Sequence, residues 1–145
     1  MKKVLVFLVS LVVLTSCATT DIFSDVALPD KITITPPSSD VPPQLAGYSG
    51  KWKGIWGGEL SHILIVEEIT PPTATVIYAV GDSVRWRINR AFIGVKGKFQ
   101  DDGSLYLELP NGARVAYRPR KDFQKLDATY ELRGFFSRAT LEKEI

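Results

Sequence analysis

From residue 50 onward, apolar and polar positions alternate along the chain with a period of two. Ala91, Ile93, Val95, Gly97 and Phe99 share one face of a run whose other face carries Phe92, Lys96 and Lys98. Leu105, Leu107 and Leu109 alternate with Tyr106 and Glu108, and Ala113, Val115 and Tyr117 alternate with Arg114, Ala116 and Arg118. Leu126, Ala128, Tyr130 and Leu132 repeat the pattern. Successive side chains of an extended strand point to opposite faces, so each run predicts a half-buried strand. Ser61 to Ile69 differs, because its middle is apolar on both faces. Thr73 to Val80 follows after Pro71-Pro72, which reads as a turn. Asp102-Gly103 and Asn111-Gly112 tolerate the positive φ angles that tight hairpins demand. Short runs joined by short turns predict an up-and-down meander of about eight antiparallel strands. Closing such a sheet on itself removes its exposed edges. No stretch sustains a helical period. The expected fold is all-β: a small antiparallel barrel or a strongly curled sheet.

The amino-terminal pattern has another character. Lys2 and Lys3 precede Val4 to Leu14, an apolar run interrupted only by Ser10. That run is too short to span a bilayer as a helix, which takes roughly 20 apolar residues. It predicts a secretory signal peptide. Leu14-Thr15-Ser16-Cys17 follows, and this succession resembles the lipobox of bacterial lipoproteins. The resemblance implies cleavage before Cys17, acylation of Cys17, and anchoring of the product in a membrane of the cell envelope. Ala18 stands where an aspartate would signal retention at the inner membrane, which implies the outer membrane in a Gram-negative cell. Cys17 is the only cysteine, so an exported domain would hold together without disulfides. The organisation read from these patterns is a signal peptide at 1–16, a lipidated tether at 17–44 and a β domain at 45–145.

Within 17–44 lie Asp21, Asp25, Asp30 and Asp40, with Pro29, Pro36, Pro37, Pro42 and Pro43. The few apolar residues keep no period and promise too little burial to offset the entropy of ordering. A flexible, partly polyproline tether is expected. Ile32-Thr33-Ile34-Thr35 alternates like a strand; the flanking prolines favour free linker over pairing with the domain edge. The formal charge of +2 matches the two leader lysines. The exported part is near neutral, too mild a balance for a nucleic-acid partner.

The candidate chemistry is sparse. His62 is the single histidine and reads as a partly exposed strand residue. With no cysteine besides Cys17, no zinc-type ligand set can be assembled. No serine sits in a nucleophile-elbow context. Glu67 and Glu68 are adjacent and point to opposite faces of a strand. Asp101-Asp102-Gly103 reads as a hairpin rather than a calcium loop. The sequence offers no catalytic residue, no metal site and no cofactor site, and points to a binding protein rather than an enzyme.

For binding, Arg85-Trp86-Arg87 opens an alternating stretch, Phe92 falls on the face opposite Ile93 and Val95, and Phe135 and Phe136 are adjacent, so at least one of that pair should also leave the core. Arg85, Trp86, Arg87, Phe92 and Phe136 form the candidate interaction patch. Gly50-Lys51-Trp52 resembles the first strand of lipocalin and avidin barrels, where a Gly-x-Trp plugs one end. The resemblance implies a cation from near the last strand packed over Trp52, and Arg138 occupies that part of the chain. Gly50-Lys51-Trp52, His62-Ile63-Leu64-Ile65-Val66-Glu67, Asn111-Gly112-Ala113, Leu126-Asp127-Ala128-Thr129-Tyr130 and Ser137-Arg138-Ala139-Thr140-Leu141 also resemble small uncharacterised bacterial β domains. Some of these accompany serine hydrolases, which implies an accessory role beside a separate enzyme. The favoured reading is a tethered, non-catalytic interaction module at the envelope, its partner open (an envelope protein is one candidate), which predicts a filled barrel interior and an exposed aromatic or arginine patch. A carrier of a small apolar ligand requires an open pocket of roughly 300 Å³ or more lined by Trp, Phe and Ile. An enzyme would require polar groups converging in a cleft.

Overall fold

A computed structural model describes residues 20–145 of the chain. Cys17 and the signal peptide lie outside the described residues. Eight strands follow one another: β1 Gly50–Trp56, β2 Leu60–Thr70, β3 Thr73–Val80, β4 Ala91–Phe99, β5 Leu105–Glu108, β6 Arg114–Pro119, β7 Lys125–Leu132 and β8 Phe135–Lys143. Each pairs antiparallel with its neighbour in sequence, and β8 returns to β1 to close a barrel. Among the described residues one short helix, α1 Pro43–Ala46, precedes the first strand. The barrel closes through Trp52↔Lys143, Lys53↔Glu142 and Gly54↔Leu141. Glycine is required at that seam, because a Cβ on Gly54 would lie 2.6 Å from the Thr140 carbonyl oxygen.

Alternation decides what fills the barrel. Leu64, Val66, Val76, Leu105, Leu107, Val115, Leu126 and Leu141 point inward and are buried. They pack solidly towards one end, which α1 and the following residues close. Tyr48 sits there at 0% exposure, its hydroxyl 2.8 Å from the Gly103 carbonyl and 2.9 Å from that of Tyr117. Phe99 and Phe123 pack on its ring, and the Trp52 indole N–H donates to the Tyr48 carbonyl at 2.8 Å. A cation does cover Trp52, but it is Lys143, whose Nζ lies 5.0 Å from the ring centroid and donates to the Gly47 carbonyl. Arg138 packs over Phe136 instead. The reason is register: Ser137, Ala139 and Leu141 of β8 face inward, which turns Arg138 outward beside Thr129. The expectation of Arg138 over Trp52 is corrected accordingly.

The segment expected to be free linker differs as well. From Asp21 the chain runs along the outside of β2 and β3 as a strap. Phe23, Val26, Leu28 and Ile32 cover the outward-facing Ile63, Ile65, Ile77 and Ala79. The Ser61 hydroxyl donates to the Ile22 carbonyl at 2.8 Å, and the Asp82 N–H donates to the Asp25 carboxylate at 3.0 Å. At the far end of the strap the Thr35 N–H donates to the Glu67 carbonyl at 2.7 Å. Glu67 sits where the β2–β3 register slips between Val66 and Glu68. A bulged residue of this kind leaves the ladder, and its carbonyl is free to accept from the strap. Composition argued against order, but the apolar wall of β2 and β3 supplies the burial that the strap lacks by itself.

Candidate functional site

The end of the barrel opposite α1 is hollow. Its floor is a layer of rings. The Trp56 ring stacks on His62 at 5.2 Å, and Tyr78 approaches His62 at 4.5 Å. Above that layer opens an apolar cup of about 470 Å³. Leu60, Val80, Leu109, Tyr130 and Leu132 form its wall, while Trp86, Ile88, Asn111 and Phe135 stand at its rim.

Local sequence explains how the rim is presented. Between β7 and β8, Arg133 at φ 48° and Gly134 at φ 83° form a two-residue turn. Positive φ at both centres gives a twist that matches the strands. The tight turn holds Phe135 over the mouth, 5.9 Å from Trp86. Between β3 and β4, residues 81–90 fold back on themselves through the paired backbone bonds of Ser83 and Ile88. The Ser83 hydroxyl accepts the Trp86 N–H at 3.1 Å, and Arg85 reaches Glu59 at 3.0 Å. Trp86 then lies across Gly57, where a Cβ would meet its ring at 2.8 Å. The left-handed φ of 56° at Gly57 is a second reason for glycine there.

Two polar atoms of the cup residues are left short of a partner. The Ser137 hydroxyl is buried and unbonded among the described residues, and the Trp56 indole N–H, though near the Tyr78 hydroxyl, makes no well-formed hydrogen bond. Leaving such a group unpaired costs about 1–3 kcal/mol. His62, just beneath, is fully satisfied. It is 0% exposed rather than partly exposed as expected, because Leu60, His62, Leu64 and Val66 alternate inward. Its Nδ1 lies 2.8 Å from the Ala79 carbonyl and its Nε2 lies 2.8 Å from the Tyr117 hydroxyl. A carbonyl can only accept, so Nδ1 carries the proton and Nε2 accepts from Tyr117. Burial pushes the His62 pKa down to about 4, and the bond to Ala79 offsets this in part. The ring is therefore neutral at physiological pH. Burial likewise drives Tyr78 and Tyr117 well above the ordinary tyrosine range, so both keep their protons.

Of the candidate patch, Trp86 turns in to line the cup with Phe135, while Arg85 and Arg87 point to solvent from the same loop. Phe92 and Phe136 are exposed at 47% and 53%, outside the cup. Sequence reading missed Tyr78, Tyr130 and Phe135 as site residues. Nothing in the alternation marks one end of a strand as facing a void. Among the described residues no three of His, Cys, Asp and Glu converge to hold a metal ion.

The family model for the prokaryotic membrane lipoprotein lipid attachment site matches residues 1–18, which include Cys17. The chain is a membrane-anchored lipoprotein. The described part of this lipoprotein is a closed β-barrel. No curated protein and no solved structure matches it, so the lipocalin and avidin resemblance of the first strand gains no support from known structures.

Proposed function

We propose that this lipoprotein is a non-catalytic binding protein that holds a small, largely apolar ligand in the cup at the open end of its barrel. The observation that carries this reading is the 470 Å³ hollow lined by Trp56, Tyr78, Trp86, Tyr130 and Phe135. Its size falls within the roughly 300–1,000 Å³ of ordinary ligand pockets. Ring faces on several sides favour a planar or aromatic portion of the ligand. The unbonded Ser137 hydroxyl offers a polar partner to that ligand, and the Trp56 indole N–H, which makes no well-formed bond to the nearby Tyr78 hydroxyl, can donate to an acceptor oxygen on it. Catalysis finds little support in the same place. Both nitrogens of His62 are engaged, so its ring offers no free base to a hydroxyl of the cup.

The test is a fluorescence titration with N-phenyl-1-naphthylamine, an apolar probe that brightens on leaving water. Saturable uptake at one probe per protein is expected. Leu132→Trp, which places a large ring in the cup, should abolish it while the circular dichroism of the barrel is kept. Uptake that never saturates, or that is equal in the filled variant, would sink the reading.

A further inference from the structure

The strap shortens the leash between anchor and barrel. Free chain from Cys17 to residue 44 would let the barrel wander tens of ångströms from the lipid. The strap instead fixes Ile22 beside Ser61, and Ser61 pairs with Ile55, one residue from the end of β1 at the mouth. Only three peptide steps separate Cys17 from Thr20, the first described residue, a reach of roughly 11 Å at full extension. The anchor therefore leaves the mouth end of the barrel only a short reach from the membrane that holds the acyl chains.

Exposed apolar side chains show which face meets it. Among the described residues seven large hydrophobic side chains are exposed, and five of them, Ile22, Val84, Phe92, Phe135 and Phe136, cluster at or near the mouth. Val84 at 96% exposure stands at the tip of the 81–90 loop. Around them Arg87, Arg133 and Arg138 are exposed, with no carboxylate within salt-bridge distance among the described residues. Of the acids at the same end, Glu59 and Asp82 are engaged by Arg85 and Arg90, while Glu108 and Glu131 flank Arg114 without an ion pair among the described residues. The opposite end presents Asp101 and Asp122 with Lys98 and Lys121, and pairs Asp102 with Arg118. Aromatic and branched tips among unpaired arginines match a headgroup region that contains anionic lipid.

We propose that the mouth of the barrel docks on the anionic bilayer surface to which Cys17 is anchored, so that the cup opens towards lipid rather than towards water. The docking stands on the strap and the rim; the cup of the preceding section adds only what would pass through the mouth. An amphiphile drawn from the bilayer would meet Phe135 and Trp86 first, and would then bring its polar atom to Trp56 and Ser137.

The experiment uses the acylated protein in vesicles of phosphatidylcholine with phosphatidylglycerol, some lipids carrying a nitroxide quencher in the upper acyl chain. With Cys17 acylated, a new cysteine is the only free thiol. Val84→Cys carries a fluorophore at the mouth, and Asp101→Cys carries the same fluorophore at the far end. Strong lipid quenching of the first and none of the second is expected. Arg133→Gln should lower the docked-to-undocked ratio about fivefold, the weight of one cation near an anionic surface. Equal quenching at both sites, quenching confined to Asp101→Cys, or a mouth probe shielded from water without lipid quenching would overturn the proposal. The last outcome would mean that another protein covers the rim. Naphthylamine uptake is read separately in detergent, so an empty cup and an undocked mouth remain distinguishable.

Discussion

The ring layer under the cup makes His62 the residue on which pH acts. Its folded pKa of about 4 lies below the ordinary value of 6.5, so the unfolded chain takes up a proton first as pH falls. Stability is complete above pH 6.5 and is lost as the pH drops from there towards 4. The shift corresponds to a loss of about 2 kcal/mol between pH 7 and pH 5. Urea midpoints measured across that interval should fall in the natural chain and stay nearly level in His62→Gln. Matching slopes in the two proteins would remove His62 from the account. The carboxylates held below their usual range, Asp102, Asp127 and Glu144, titrate at lower pH than this window. The inward position of His62 could be read from its own strand, since Leu60, Leu64 and Val66 share its parity. Its complete burial could not, because that depends on Trp56, Tyr78 and Tyr117 arriving from three other strands.

Strands and turns were legible because the signals that encode them are local. The Thr73–Val80 and Ala91–Phe99 runs emerge with the ends that the sequence suggests, and Asp102-Gly103 and Asn111-Gly112 turn where expected. The strap was legible only indirectly. Ile63 and Ile65 face out of the barrel, and two isoleucines on an outer wall demand a cover. Nothing in residues 21–35 announces that they supply it. Because the strap is held by Val26 and a few apolar neighbours, it should release as a unit. Val26→Asp would place a carboxylate against Ile63 and Ile77 and cost about 1–3 kcal/mol. Limited trypsinolysis should then cut rapidly after Lys31 while the barrel beyond residue 50 resists. Slow cleavage of that variant would show that the strap is held by something other than its apolar contacts.

At the scale of the whole molecule the barrel is two things: a packed half that confers stability and a hollow half whose shape depends on residues 81–90 folding over the mouth. This loop was the part least legible in the sequence, since Trp86 finds its seat on Gly57, nearly thirty residues away, and alternation carries no such information. Its ion pairs, Arg85–Glu59 and Arg90–Asp82, are largely exposed on the arginine side and contribute little. The seat of Trp86 must therefore fix the loop, and neighbouring glycines separate that effect from stability. Gly57 and Gly58 both have left-handed φ, 56° and 73°, so alanine at either position strains the backbone by about 1–2 kcal/mol. Only at Gly57 does the added methyl meet the Trp86 ring; at Gly58 nothing lies within 4 Å. The two variants should lose similar stability in urea, yet Gly57→Ala alone should weaken naphthylamine binding, by about tenfold, equivalent to about 1.4 kcal/mol of contact. Equal binding in both variants would mean that the cup keeps its shape without Trp86 seated. The division between a stabilising half and a binding half would then fail.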